Sequence, residues 1–273
     1  MTLNATLTRG LLCALAVWLS GCAQGLSGSE ASARADVQAD LRTESDETPN
    51  QRRARIRLEL ATAYFQQGQT HVALDEIKQA IAIDPAYADA YNLRGLVYLR
   101  LNDLPLAADS FDRALALNPR DADAAHNSAW LLCQQAQYQA SDQLFAQAIA
   151  NPTYAPPAKS WMAQGLCQMR AGQTAAAEVS LMRSFALDDA HPVTRYNLAR
   201  LLFERGDVQP AQPYIRQLNK SPLANAETLW LGIQIEQQLK NKVAVAALVE
   251  QLRGRFAASS TLIAYEKGAF PAG

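Results

Sequence analysis

The chain has 273 residues, 49% of them hydrophobic, with 25 basic residues against 26 acidic ones. So even a balance offers no clustered basic face for phosphates and argues against nucleic acid as the main partner. Between residues 51 and 258 alanine is abundant while Gly and Pro are sparse, a composition that favours helix.

Residues 1–21 read as a signal sequence. Arg9 supplies its positive charge, and Leu11–Leu19 is an apolar run of nine residues. A helix needs about 20 residues to cross a bilayer, so this run fits the core of a signal instead. Leu19-Ser20-Gly21-Cys22 comes next, with small residues leading into a cysteine. This resembles the lipobox of bacterial lipoproteins. The resemblance implies a diacylglyceryl thioether on Cys22 and an acylated amino group. Several acyl chains, at about 0.8 kcal/mol per buried CH₂, anchor stably where one is marginal. Ala23 stands where inner-membrane members of that class tend to carry Asp, so the resemblance points to the outer membrane, facing the periplasm.

Residues 22–50 comprise the lipidated Cys22 and a stretch of Ala, Ser, Gly, Asp and Glu that cannot bury enough surface to fold alone. They read as a flexible tether spanning about 30 Å. A first helix over about 30–47 is the alternative.

From residue 51 the sequence aligns on itself at a period of 34 residues. One repeat carries Tyr91, Gly95, Tyr98, Ala107, Phe111, Ala114 and Pro119. One period earlier stand Ala61, Tyr64, Ala73, Ile77, Ala80 and Pro85; one period later stand Ala129, Leu132, Phe145 and Ala148. Three further repeats follow, marked by Trp161, Gly165, Ala177 and Leu181, then Leu198, Leu202, Ala211 and Ile215, then Leu231, Ile235, Ala244 and Leu248. Small residues let the two helices of a repeat approach, aromatic ones fill the space beside them, and prolines separate repeats. The pattern is that of the tetratricopeptide repeat. It predicts an all-α, right-handed superhelix (a solenoid) of about six repeats over 51–258, with a tail at 259–273.

In related repeats the first helix, helix A, lines a concave face. The positions that would face a ligand include Leu58, Phe65, Leu96, Leu99, Trp130, Met162, Leu166, Met169, Tyr196 and Phe203. A stripe of Met and aromatic residues suits an adaptable groove for a peptide. The alternative is that these side chains pack between neighbouring A helices. A clamp for the terminal carboxylate of a peptide needs Lys and Asn on the first helix A, where Leu58 and Thr62 stand instead.

Beyond the signal and Cys22 two cysteines remain, Cys133 and Cys167, 34 residues apart on A helices of adjacent repeats. A disulfide that locks repeats three and four together and a pair of buried thiols are both open. His71, His126 and His191 fall on different repeats, and no spacing suits a metal. No nucleophile motif, phosphate loop or carboxylate pair appears. The expectation is therefore a protein-binding molecule, not an enzyme, with no cofactor, metal or small-molecule substrate.

The order of features narrows this further. A lipobox and tether precede six repeats. The loop Asn151-Pro152-Thr153-Tyr154-Ala155-Pro156-Pro157 leads to Gly165-Leu166-Cys167, then Gly172-Gln173, Tyr196-Asn197-Leu198-Ala199 and finally Arg255-Phe256. This resembles the type IV pilus biogenesis/stability proteins of the PilW (PilF) family over nearly the whole mature sequence. The end departs from the family, since Ala257-Ala258-Ser259-Ser260 replaces a Pro and an aromatic-rich tail. The resemblance implies a pilotin, which helps a secretin subunit reach the outer membrane and form its multimer. Cys22 would supply the membrane attachment and the first repeats the secretin contact. A tethered scaffold for another envelope assembly machine is the alternative.

Overall fold

The computed structural model describes residues 46–268 except 153, 155 and 156. The expected signal sequence, Cys22 and nearly all of the tether lie outside the described residues, as do Thr153, Ala155 and Pro156 of the loop.

Among the described residues there are thirteen helices and no strand. They belong to the compact unit that begins at Thr48. Six helical pairs follow one another: α1 (Pro49–Gln66) with α2 (Thr70–Ile83), α3 (Ala88–Arg100) with α4 (Leu104–Leu117), and α5 (Ala122–Gln134) with α6 (Tyr138–Ala150). Next are α7 (Ala158–Arg170) with α8 (Thr174–Leu187), α9 (Pro192–Glu204) with α10 (Val208–Asn219), and α11 (Ala226–Gln238) with α12 (Lys242–Arg255). A short α13 (Ser260–Glu266) closes the array. In each pair the two helices pack most closely on one another, and each helix B packs next on helix A of the following repeat. The fold is a tetratricopeptide-repeat superhelix.

The period has a backbone basis. At every turn between helices A and B one residue adopts a left-handed conformation, which ends helix A and lets the backbone double back. These residues are Gly68, Asn102, Ala136, Gly172, Gly206 and Lys240, with φ between 57° and 92°. Glycine takes this conformation without penalty, while at Ala136 and Lys240 the tertiary packing imposes it. At the turns between repeats, Asp84, Asn118 and Asp188 each accept a hydrogen bond from the backbone N–H two residues on, at 3.0–3.3 Å.

Packing explains the small residues. A Cβ on Gly95 would lie 2.6 Å from Cδ1 of the fully buried Phe111, and one on Gly165 would lie 2.8 Å from Cγ of Leu181. Ala61, Ala73, Ala80, Ala107, Ala114, Ala129 and Ala148 have no exposed surface. Helices this close tolerate no larger side chain there.

The structure revises three boundaries. Helix α1 starts at Pro49, inside the segment read as tether, because Thr48 and Gln51 form a reciprocal capping box and Pro49 fits the first turn. The segment read as a tail contains α13, capped by Ser259. Its Leu262 is buried against Leu229, Ile233, Val249 and Leu252, so α13 shields the open side of the last repeat. The period itself slips once. Helices A start at Ala88, Ala122, Ala158, Pro192 and Ala226, steps of 34, 36, 34 and 34, because the loop after α6 is three residues longer than that after α4 while α6 is one residue shorter.

Candidate partner-binding groove

Successive A helices touch along the array, from α1 through α11. This forms the inner row on which the expected groove residues stand. Asn127 on α5 donates to Asn92 on α3 at 3.0 Å, and His126 on α5 bonds Ser160 on α7 at 2.7 Å. The A helices are thus stitched to one another by side chains.

The expected apolar stripe is less open than a bare groove. Leu58 is buried among Ala61, Ile77, Ala90 and Leu93, so it is a core residue and offers a ligand little surface. The reason is the tight approach of α2 and α3 to α1. Phe65, Leu96, Leu99, Trp130, Met162, Leu166, Met169, Tyr196 and Phe203 are all half-buried. Phe65 and Leu96 pack against the first core cluster, Leu99 beside Phe111 and Leu131, and Trp130 beside Cys133. Tyr196 and Phe203 lean on the cluster of Ala199 and Ile215. Met162 and Leu166 stand apart from these clusters.

Arginines from the following repeat cover two of the aromatics. The Arg100 guanidinium lies 3.7 Å from the centre of the Phe65 ring and donates to the Phe65 carbonyl at 2.6 Å. Arg170 lies 5.1 Å from the Trp130 ring. Such stacking holds a cation at the groove rim while shielding the aromatic face. Repeat position places both arginines on the ligand-facing side; it carries no sign that they stack on the aromatics.

Cys133 on α5 and Cys167 on α7 are joined as a disulfide, with Cα atoms 5.8 Å apart. Because of the longer loop they do not occupy equivalent positions: Cys133 is the twelfth residue of its helix and Cys167 the tenth of its own. The bond lies in the core with Ala129, Phe145 and Ala163, and Ser141 Oγ is 3.4 Å from Cys167 Sγ.

Two of the histidines hold local structure. His126 is buried against the edge of the Phe145 ring, and burial pushes its imidazole down to about 4, helped by the charge of Lys159. It is neutral at pH 7 and holds Ser160, which in turn donates to Tyr154 at 3.0 Å. His191 caps α9, and His71 lies in the first turn of α2. Glu236 on α11 is a buried carboxylate. Burial alone would raise it, but hydrogen bonds and charge from Arg216, with bonds from Gln212 and Asn241, hold it below the usual range. Among the described residues no group of three or more His, Cys, Asp or Glu is placed to hold a metal. No described helix is long and apolar enough to cross a membrane.

Comparison with known proteins matches this architecture. The tetratricopeptide-repeat family matches residues 58–122. The type IV pilus assembly protein PilF of Pseudomonas aeruginosa is 26% identical over 248 residues, covering 91% of this chain and 93% of that one. The chain is a tetratricopeptide-repeat homologue of PilF. An uncharacterised Haemophilus influenzae protein is 27% identical over 105 residues, 38% of this chain and 59% of its own. Among solved structures, PilW, described as a widely conserved type IV pilus biogenesis factor, superposes with a TM-score of 0.72 at 29% identity. That match covers 78% of this chain and 98% of PilW. The Pseudomonas aeruginosa PilF structure superposes at 0.74 over 81% of this chain and all of that one; at 23% identity this likeness speaks for the fold.

Proposed function

We propose that the chain is an outer-membrane lipoprotein, anchored through Cys22 and facing the periplasm, that serves type IV pilus biogenesis. Its concave face would hold a secretin subunit and assist that subunit's localisation and multimer assembly. The observation that carries this reading is the homology to PilF over nearly the full length of both proteins. The lipobox-like Leu19-Ser20-Gly21-Cys22 and the inner row of A helices support it. The mechanism is tethered capture. An anchor at Cys22, joined to the repeats through the segment read as a tether, would confine a partner near the membrane and raise its effective concentration with no new contact. Nothing in this mechanism requires catalysis.

The test is a deletion strain, fractionated and run on a gel without boiling so that the secretin multimer survives. The reading expects the multimer to be lost and the monomer to accumulate or move to the inner membrane. Wild-type protein should restore the multimer, and Cys22→Ala should not. An unaltered multimer at the outer membrane, with pili intact, would overturn the pilotin reading and leave a scaffold for another envelope machine.

A further inference from the structure

The inner row leaves a hollow between repeats four and five. There α7 and α9 enclose a hollow of about 310 Å³, lined by Leu166, Met169, Arg170, Asn197, Arg200 and Glu204. Leu166 stands apart from the buried clusters, and Met169 is half-buried at the edge of the Leu181 and Leu198 cluster. The charges in the hollow are unbalanced, with two guanidinium groups facing one carboxylate.

Neither arginine is fully engaged. Arg200 lies beside the Tyr196 hydroxyl, and its buried Nε faces Glu204 Oε1 without making a well-formed hydrogen bond. Its nearest acid, Glu204, is 3.4 Å away in an i,i+4 pair whose side chains are 41% and 61% exposed, a weak arrangement. Arg170 stacks on Trp130 and forms no ion pair among the described residues. A pair this exposed and this loosely aligned leaves the Arg200 guanidinium able to take a ligand carboxylate in its place. The planar fork of arginine matches a carboxylate, and Leu166 and Met169 beside it offer an adaptable apolar contact. A free phosphate or a lipid headgroup would use the cations but not that apolar wall.

We propose that the concave hollow between repeats four and five binds an acidic side chain of a partner peptide, flanked by aliphatic residues. This deepens the reading of the concave face as the partner surface and rests on it. It also moves the selective contact from the first repeats, where Leu58 is buried and Phe65 is covered, to the fourth and fifth.

The sequence provides built-in probes. Of its four methionines, Met1 belongs to the expected signal sequence, leaving Met162 and Met169 on α7 and Met182 on α8, outside the hollow. The full mature protein, labelled with ¹³C at the methionine methyls and held in detergent, is titrated with the peptide acetyl-Gly-Ser-Leu-Glu-Leu-Leu-Ser-Gly-amide and with its Gln counterpart. The Met169 signal should move and the Met182 signal should stay. The Gln peptide should bind about tenfold more weakly, the scale of one charge-assisted hydrogen bond. Arg200→Gln should cost about the same factor with helix content unchanged. Arg200→Lys, which keeps the charge but loses the planar fork, should cost less and guards against a folding defect in the first variant.

Equal binding of the two peptides would overturn the proposal, as would a shift confined to Met182. So would displacement of the peptide by inorganic phosphate, or by phosphatidylglycerol vesicles, at comparable concentrations; these would mark an anion or lipid site. If the peptide fails while the secretin multimer still depends on this protein, the hollow's proposed role falls and the pilotin reading stands.

Discussion

The disulfide between repeats three and four offers a prediction whose size follows from the structure. The bond closes a ring with a sequence separation of 34, enclosing α6 and the loop after it. With the chain-entropy relation, the unfolded state gains about 13 cal/mol/K when that ring is opened, or about 4 kcal/mol at 25 °C. In a repeat array stability is approximately a sum over repeats and their interfaces, so the loss should fall at the joint of α5, α6 and α7 and spare the ends. The perturbation is Cys133→Ser with Cys167→Ser, compared with wild type with and without reductant. For a helical unit of this size the melting midpoint should fall by roughly 8–15 °C. Hydrogen exchange should accelerate in α5–α7 before it does in α1 or α11. Intact mass should rise by two hydrogens on reduction. A midpoint within a degree of wild type, or a mass that reductant leaves unchanged, would refute the reasoning.

Two pH predictions follow from buried groups. The His126 imidazole has its folded value lowered to about 4 against an ordinary 6.5, so the unfolded state binds the proton first. The associated stability is fully present above pH 6.5 and is lost as pH falls toward 4, by about 3 kcal/mol. Denaturant midpoints measured from pH 7 to 4 should show this loss, and His126→Gln should flatten it; an equal slope in both proteins would count against a buried neutral imidazole. The Glu236 carboxylate is held below its ordinary value of 4.5, so its contribution is present above that pH and is lost as pH falls through the lower folded value. Glu236→Gln should cost roughly 2 kcal/mol at pH 7, the scale of hydrogen bonds to a charged group, and should shrink the loss below pH 4.5. Urea unfolding at pH 7 and pH 4 measures both, and a variant as stable as wild type at pH 7 would show the Arg216 pair to be dispensable.

The repeat is written in the sequence because its backbone and packing demands fall on residue types with few substitutes. Gly95 against Phe111 and Gly165 against Leu181 leave no room for a side chain, so the period of small and large residues stands out. Glycine at 68, 172 and 206 marks three of the left-handed turns, but Asn102, Ala136 and Lys240 fill the same role without a clear mark. The boundaries are harder to read. The capping box of Thr48 and Gln51 is a local signal in a segment whose composition suggests a tether. Leu262 follows the polar run Ser259-Ser260-Thr261 and finds its core only in the folded array, beside Leu229 and Ile233.

The groove is readable by position but not by exposure. Repeat numbering places Leu58 and Leu166 on the same face, yet it does not reveal that α2 and α3 close over Leu58 while Leu166 borders a hollow. Nor does it show that Arg100 and Arg170 reach back over Phe65 and Trp130. These outcomes depend on how far each helix approaches the next, a property of the assembled stack. The two-residue slip after α6 is carried by the repeat markers, since Phe145 and Leu181 stand 36 residues apart, and the helix starts at Ala122 and Ala158 show the same step.

The concave face is the surface proposed to hold a secretin subunit, and site-specific photocrosslinking tests that most directly. A photoreactive amino acid is placed at Trp130 on the inner row or at Val243 on α12, which is 82% exposed. Irradiating cells that carry either variant and identifying the crosslinked protein compares the two surfaces. A concave binding face predicts a secretin adduct from position 130 and none from position 243. A secretin adduct from position 243 alone, or an inner-row adduct with an unrelated envelope protein and no secretin, would contradict it.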